Sequence, residues 1–113
     1  MLKDFRSYQM AITFYRECEK IKCPPYLKDQ LARAASSIAL NLSEGSTCPT
    51  PKDRRRFYMI ALGSLRECQT LLDLVNHPDK SLHELADKLG ANIFRLAQAV
   101  HSTKSSIPEN WPG

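Results

Sequence analysis

Apolar residues recur at intervals of three and four along four stretches of the chain, the spacing of one helix face and not the alternation of a strand. The first stripe is Tyr8, Ala11, Ile12, Tyr15, Cys18 and Ile21, which predicts a helix from about Asp4 to Lys22. Pro24-Pro25 closes it, since proline cannot continue the hydrogen-bond ladder and pushes its predecessor out of helical geometry. A second helix is predicted from about Leu27 to Glu44, with Leu27, Leu31, Ala34, Ala35, Ile38 and Leu42 on one arc and Gly45 as its terminator. Thr50-Pro51-Lys52-Asp53 supplies a capping hydroxyl, a proline at the first helical position and a carboxylate at the third, so a third helix starts there. Its stripe is Phe57, Ile60, Ala61, Ser64, Cys68, Leu71, Leu72 and Val75, ending near Asn76 and the His77-Pro78 turn. Ser81-Leu82-His83-Glu84 has the capping-box pattern and is expected to open a fourth helix along Leu82, Leu85, Ala86, Leu89, Ile93, Leu96, Ala97 and Val100, fraying after Ser102.

Four amphipathic helices of about five turns each, joined by short loops, bury their stripes only against one another, and short loops make neighbours antiparallel. The expected fold is all-α: a single-domain, up-down-up-down antiparallel four-helix bundle over residues 1–104, followed by a tail over 105–113 that carries Trp111. A chain of 113 residues, 42% hydrophobic and 25% charged, suits one small domain with one core. No apolar run of about 18 residues and no charged-then-apolar leader appears, so neither membrane association nor secretion is expected, and the location inferred is cytoplasmic.

The net charge is +4, with +2 on each of residues 1–24 and 49–76 and none on the remainder. Part of that surplus is the run Lys52, Arg54, Arg55 and Arg56 in the first turn and a half of the third helix, where the macrodipole disfavours cations. Free backbone N–H groups and guanidinium groups together suit a phosphate, which makes the run a candidate contact for RNA or DNA backbone; a solvated charged surface is the alternative. On the second helix Arg33, Ser37, Asn41 and Glu44 fall within about 80° of one another, beside the apolar arc. On the third, Ala61, Gly63, Ser64 and Glu67 have similar spacing. Gly63 inside a helix implies that another group approaches closely. Together these residues suggest a hydrogen-bonded network that sets register, or else a ligand site. Tyr58 and Phe14 are candidates for stacking on bases if exposed, or for core or oligomer contacts.

Nothing points to catalysis. There is no glycine-rich phosphate loop, no nucleophile elbow and no Cys/His arrangement. Cys18, Cys23, Cys48 and Cys68 lack metal-ligand spacing and are expected to be free, packed thiols, and His83-Glu84 lacks the second histidine of a metalloprotease pair. No catalytic residue, metal or cofactor is expected.

The segment Gln30-Leu31-Ala32-Arg33-Ala34-Ala35-Ser36-Ser37-Ile38-Ala39-Leu40-Asn41-Leu42-Ser43-Glu44-Gly45, followed by Ala61-Leu62-Gly63-Ser64-Leu65-Arg66-Glu67, resembles the bacterial four-helix-bundle family encoded in intervening sequences of large-subunit ribosomal RNA genes. Relatives of that family include the accessory variability determinant of diversity-generating retroelements. Phe5 with Tyr8-Gln9-Met10-Ala11 is similar to the family's opening, and the resemblance spans roughly residues 5–100. It implies a non-enzymatic bundle that assembles into a homo-oligomeric ring, commonly a pentamer, with a basic surface that in the retroelement relatives is directed toward nucleic acid; a scaffold that binds a protein partner is the alternative. Arg33, Ser37, Asn41, Glu44, Gly45, Gly63, Ser64 and Glu67 match the family motif, and the resemblance gives them structural roles. Ala32 stands where the family often has a second arginine, and Ser46-Thr47-Cys48 where it is often more basic; both lower the local positive charge.

Overall fold

The computed structural model describes residues 5–105, with side chains described over 5–100. It contains α1 (Arg6–Glu19), α2 (Pro25–Thr47), α3 (Pro51–Leu74) and α4 (Lys80–Ser105), and no strand among the described residues. The start of α3 follows from its residue chemistry: Thr50 Oγ1 accepts a hydrogen bond from the Asp53 N–H at 3.2 Å, and Pro51 occupies the first helical position, where no N–H is needed. Thr50→Ala is therefore expected to lower stability by about 1 kcal/mol, read as a shifted urea midpoint with an unchanged slope. The other end of α3 closes on Asn76, whose φ of 52° places it in the left-handed region that asparagine tolerates. His77 N–H bonds Leu72 O and Asn76 N–H bonds Asp73 O, both at 3.0 Å, which satisfies the last carbonyls.

Residues 20–24, 48–50 and 75–79 connect the helices, too few to run back along one, so consecutive helices are antiparallel. Each packs on the next, and α4 packs back on α1, in a body 53 Å long and 24 by 23 Å across. The centre is filled by Phe14, Ile38, Leu42, Leu65, Leu72, Leu89 and Ile93, all fully buried. The stripes expected on α2 and α4 are the ones buried, with Leu27, Leu85 and Leu96 at their margins.

Two stripes are rotated from expectation. In α1 the buried line is Ser7, Ala11, Phe14 and Cys18, with Tyr8, Ile12 and Tyr15 only half-buried. In α3 it is Tyr58, Ala61, Leu62, Leu65, Cys68, Leu71 and Leu72, so Phe57 and Ser64 lie at the edge and Ile60 outside. Phe14 and Tyr58 are thus core side chains, which removes both as base-stacking candidates.

Helix boundaries differ for local reasons. Pro25 opens α2 at its first position instead of closing α1; the Lys28 ammonium gathers the last carbonyl of α1 and one from the connection, with Nζ donating to Glu19 O at 2.7 Å and also to Ile21 O. Gly45 does not terminate α2, which runs on to Thr47 with Gly45 buried in helical geometry. At the start of α4 the capping group is Asp79, not Ser81. Asp79 Oδ1 accepts from the Ser81 N–H at 2.9 Å and from the Ser81 hydroxyl at 2.6 Å. These bonds, the hydroxyl's first, hold the Asp79 carboxyl below its usual range. α4 continues past Ser102 to Ser105; residues 106–113 of the expected tail, Trp111 included, and Asp4 lie outside the described residues.

Candidate nucleic-acid interface

Two features of α2 and α3 lie outside the apolar core. The first is a polar seam between them. Ser37 Oγ and Ser64 Oγ meet at 2.8 Å, and Asn41 Nδ2 donates to Ser37 O at 2.8 Å and to Ser37 Oγ at 3.0 Å. All three side chains are half-buried, so the bonds satisfy groups that would otherwise be desolvated, and they pair one register of α2 against α3. Arg33 and Glu67 are exposed at the mouth of the seam, where with Gln30, Ala34, Ser37 and Ser64 they line a shallow cleft of about 320 Å³. Glu44 is exposed and stands apart from the bonded trio. Gly63 is not a close-approach site within one chain, because a Cβ built there meets nothing within 4 Å.

Gly45 is such a site. A Cβ there would lie 2.5 Å from Tyr58 Cε1, 2.8 Å from Tyr58 Cδ1 and 3.3 Å from Arg54 O, so the glycine lets the first part of α3, from Arg54 to Tyr58, press against the end of α2. Burial pushes the Tyr58 hydroxyl's pKa up, against the opposing pull of the Arg54 cation. Phe5 meets the Tyr58 ring edge-on at 6.3 Å.

The second feature is the start of α3, and here the expected cationic run divides. Arg54 turns inward: its Nη2 donates to Cys48 O at 2.9 Å, and its Nε is buried without a partner. It ties the α2–α3 connection to α3 and leaves the surface set. Lys52, Arg55 and Arg56 are exposed. Arg56 Nε lies 3.8 Å from Asp53 Oδ1, an exposed pair worth little, and its guanidinium sits 4.5 Å from the centroid of the Phe57 ring. These three cations rim a groove of about 530 Å³ with Pro51, Met59, Ile60 and Val100. The apolar spacing puts Ile60 in the core and gives Met59 no role, whereas both reach the surface. The signal available was Leu62 and Leu65, two leucines left off the expected stripe, which only a rotated helix could bury.

All four cysteines are free. Burial, with Glu17 adding to it, pushes the Cys18 thiol up to about 12, and burial above all raises Cys68, so neither is a thiolate at neutral pH. Among the described residues no group of three or more His, Cys, Asp or Glu side chains could hold a metal, and no helix is long and apolar enough to cross a membrane.

Fold and seam together define a small all-α protein, an antiparallel four-helix bundle registered by a serine-serine-asparagine contact. The chain belongs to the 23S rRNA-intervening sequence protein family, whose model matches residues 3–102. No curated protein matches it.

Proposed function

We propose that the chain is a non-enzymatic, ring-forming homo-oligomer of the bacterial cytoplasm that binds RNA or DNA through its phosphate backbone. The observation that carries this reading is the outward projection of Lys52, Arg55 and Arg56 from the first turn and a half of one helix, where the helix dipole opposes cations and folding stability does not select them. A phosphate there meets guanidinium donors and the positive end of the helix. The pentamer comes from the family resemblance. Five chains of +4 each would present a surplus of +20 around one axis, so individually weak phosphate contacts act as a multivalent surface. Such binding has little sequence preference and falls steeply with salt.

Light scattering coupled to size exclusion reads the assembly, and retention of labelled RNA and DNA between about 50 and 200 mM salt reads the partner. The triple variant K52E/R55E/R56E, with Arg54 kept for its structural bond, is expected to weaken binding at least about tenfold. The salt slope should become shallower by roughly 0.7–0.9 for each phosphate that the variant no longer neutralises. Unchanged affinity removes this surface from the proposal. The second reading is a protein-interaction scaffold that binds no nucleic acid. A ring that shows no nucleic-acid binding even at low salt would favour that reading over the first.

A further inference from the structure

The groove at the start of α3 combines two chemistries that a duplex backbone does not require together. Its rim is cationic and its floor is apolar: Met59 and Ile60 are 37% and 41% exposed on α3, with Val100 of α4 and Pro51 closing the sides. Exposed phosphates and sugars of a double helix offer nothing to that floor, because the apolar faces of the bases are stacked inside. An unpaired strand presents phosphates and bare base faces along one edge. From the nucleic-acid reading above, we infer that the groove takes single-stranded RNA or DNA, with phosphates on Lys52, Arg55 and Arg56 and an unstacked base against Met59 and Ile60.

Four further observations agree with this occupant. About 530 Å³ lies within the roughly 300–1,000 Å³ of sites that enclose small organic molecules, which leaves room for a base and its sugar. Residues 52–56 span only about 6 Å along the helix axis, so the cations are grouped for neighbouring phosphates of one strand and not for two strands across a groove. The Arg56 guanidinium, 4.5 Å from the Phe57 ring centroid, is a planar cation at the rim, and a base stacks on such a plane as it does on an aromatic ring. Farther along the same face of α3, Gly63 is exposed with open space above its Cα, so no side chain there blocks the strand's path.

The test uses the full chain and fluorescence anisotropy with four probes: a labelled oligo(U) strand, a duplex of equal length, an abasic deoxyribose-phosphate strand of equal charge, and a peptide alternating Asp and Leu. Wild type is expected to bind oligo(U) about tenfold more tightly than the duplex or the abasic strand. M59S/I60S changes no charge and alters side chains already in contact with solvent. It should lower oligo(U) affinity to the abasic level with an unchanged salt slope, an unchanged mass by light scattering and a helical circular dichroism spectrum, while the lost apolar contact lowers the unfolding midpoint modestly. Equal wild-type binding of oligo(U), duplex and abasic strand, all abolished in K52E/R55E/R56E, overturns the base pocket while the backbone-binding reading stands. Absence of binding to every nucleic-acid probe overturns both. Binding of the acidic peptide in preference to oligo(U), or a change of mass in M59S/I60S, assigns the groove to a protein partner or to a second copy and overturns the inference.

Discussion

Phe14→Ala is expected to lower stability by about 3–5 kcal/mol, a large share of the roughly 5–15 kcal/mol that holds a domain of this size together. The ring is fully buried in α1 with Ala11 and Cys18, in the cluster that includes Ile38, Leu42, Leu65, Leu72, Leu89 and Ile93 from the other three helices. Truncation removes its transfer free energy and leaves a cavity lined by four helices that cannot close on it together. Tyr15, one residue on, is half-buried, and its truncation should lower stability by much less. Urea unfolding followed by circular dichroism reads the pair. The same experiment separates core from contact residue: if Phe14 acted by stacking on bases, its removal would weaken nucleic-acid binding and leave the midpoint in place.

Glycine-to-alanine substitutions at positions 45 and 63 are expected to shift stability in opposite directions. Gly45→Ala forces a methyl group to within 2.5 Å of a Tyr58 ring that is 5% exposed and therefore cannot swing into solvent. Overpacking of this kind costs about 1–3 kcal/mol, against a gain in helix propensity of up to about 1 kcal/mol, so a net loss of about 1–2 kcal/mol is expected. Replacing Tyr58 with leucine in the Gly45→Ala background should recover part of the loss, and a double-mutant cycle should give a coupling of at least about 1 kcal/mol. Gly63→Ala meets no atom within 4 Å and should stabilise the isolated chain by up to about 1 kcal/mol. Gly45→Ala has a second consequence, because the contact also involves Arg54 O. Displacing the start of α3 moves Lys52, Arg55 and Arg56 relative to α4, so the nucleic-acid binding proposed for these cations should weaken along with stability.

Three parts of the candidate interface show what was readable in the chain and what was not. Helical spacing groups Arg33, Ser37, Asn41 and Glu44 on α2 and Ala61, Gly63, Ser64 and Glu67 on α3, but the structure joins only Ser37, Asn41 and Ser64 in a hydrogen-bonded seam, because spacing within one helix does not say which polar side chain meets the next helix. Arg54 was indistinguishable from Arg55 and Arg56 in sequence. It differs only because the Cys48 carbonyl, at the far side of a three-residue connection, lies where its guanidinium reaches. The groove floor was hidden by a choice of helix phase: Ile60 fits one apolar line of α3 and Leu62 with Leu65 another, and both have helical spacing.

Residue order alone dictates four helices, the Thr50 cap, the buried arcs of α2 and α4, and the family. These depend on contacts within a turn or two of helix, where residue type alone decides which bonds form and which face is apolar. Tertiary structure alone decided the rotation of α1 and α3, the burial of Phe14 and Tyr58, the role of Gly45, the inward turn of Arg54 and the existence of the groove. A helix with apolar residues on more than one arc can bury either. The free energy that selects between them comes from neighbouring helices that lie tens of residues away along the chain.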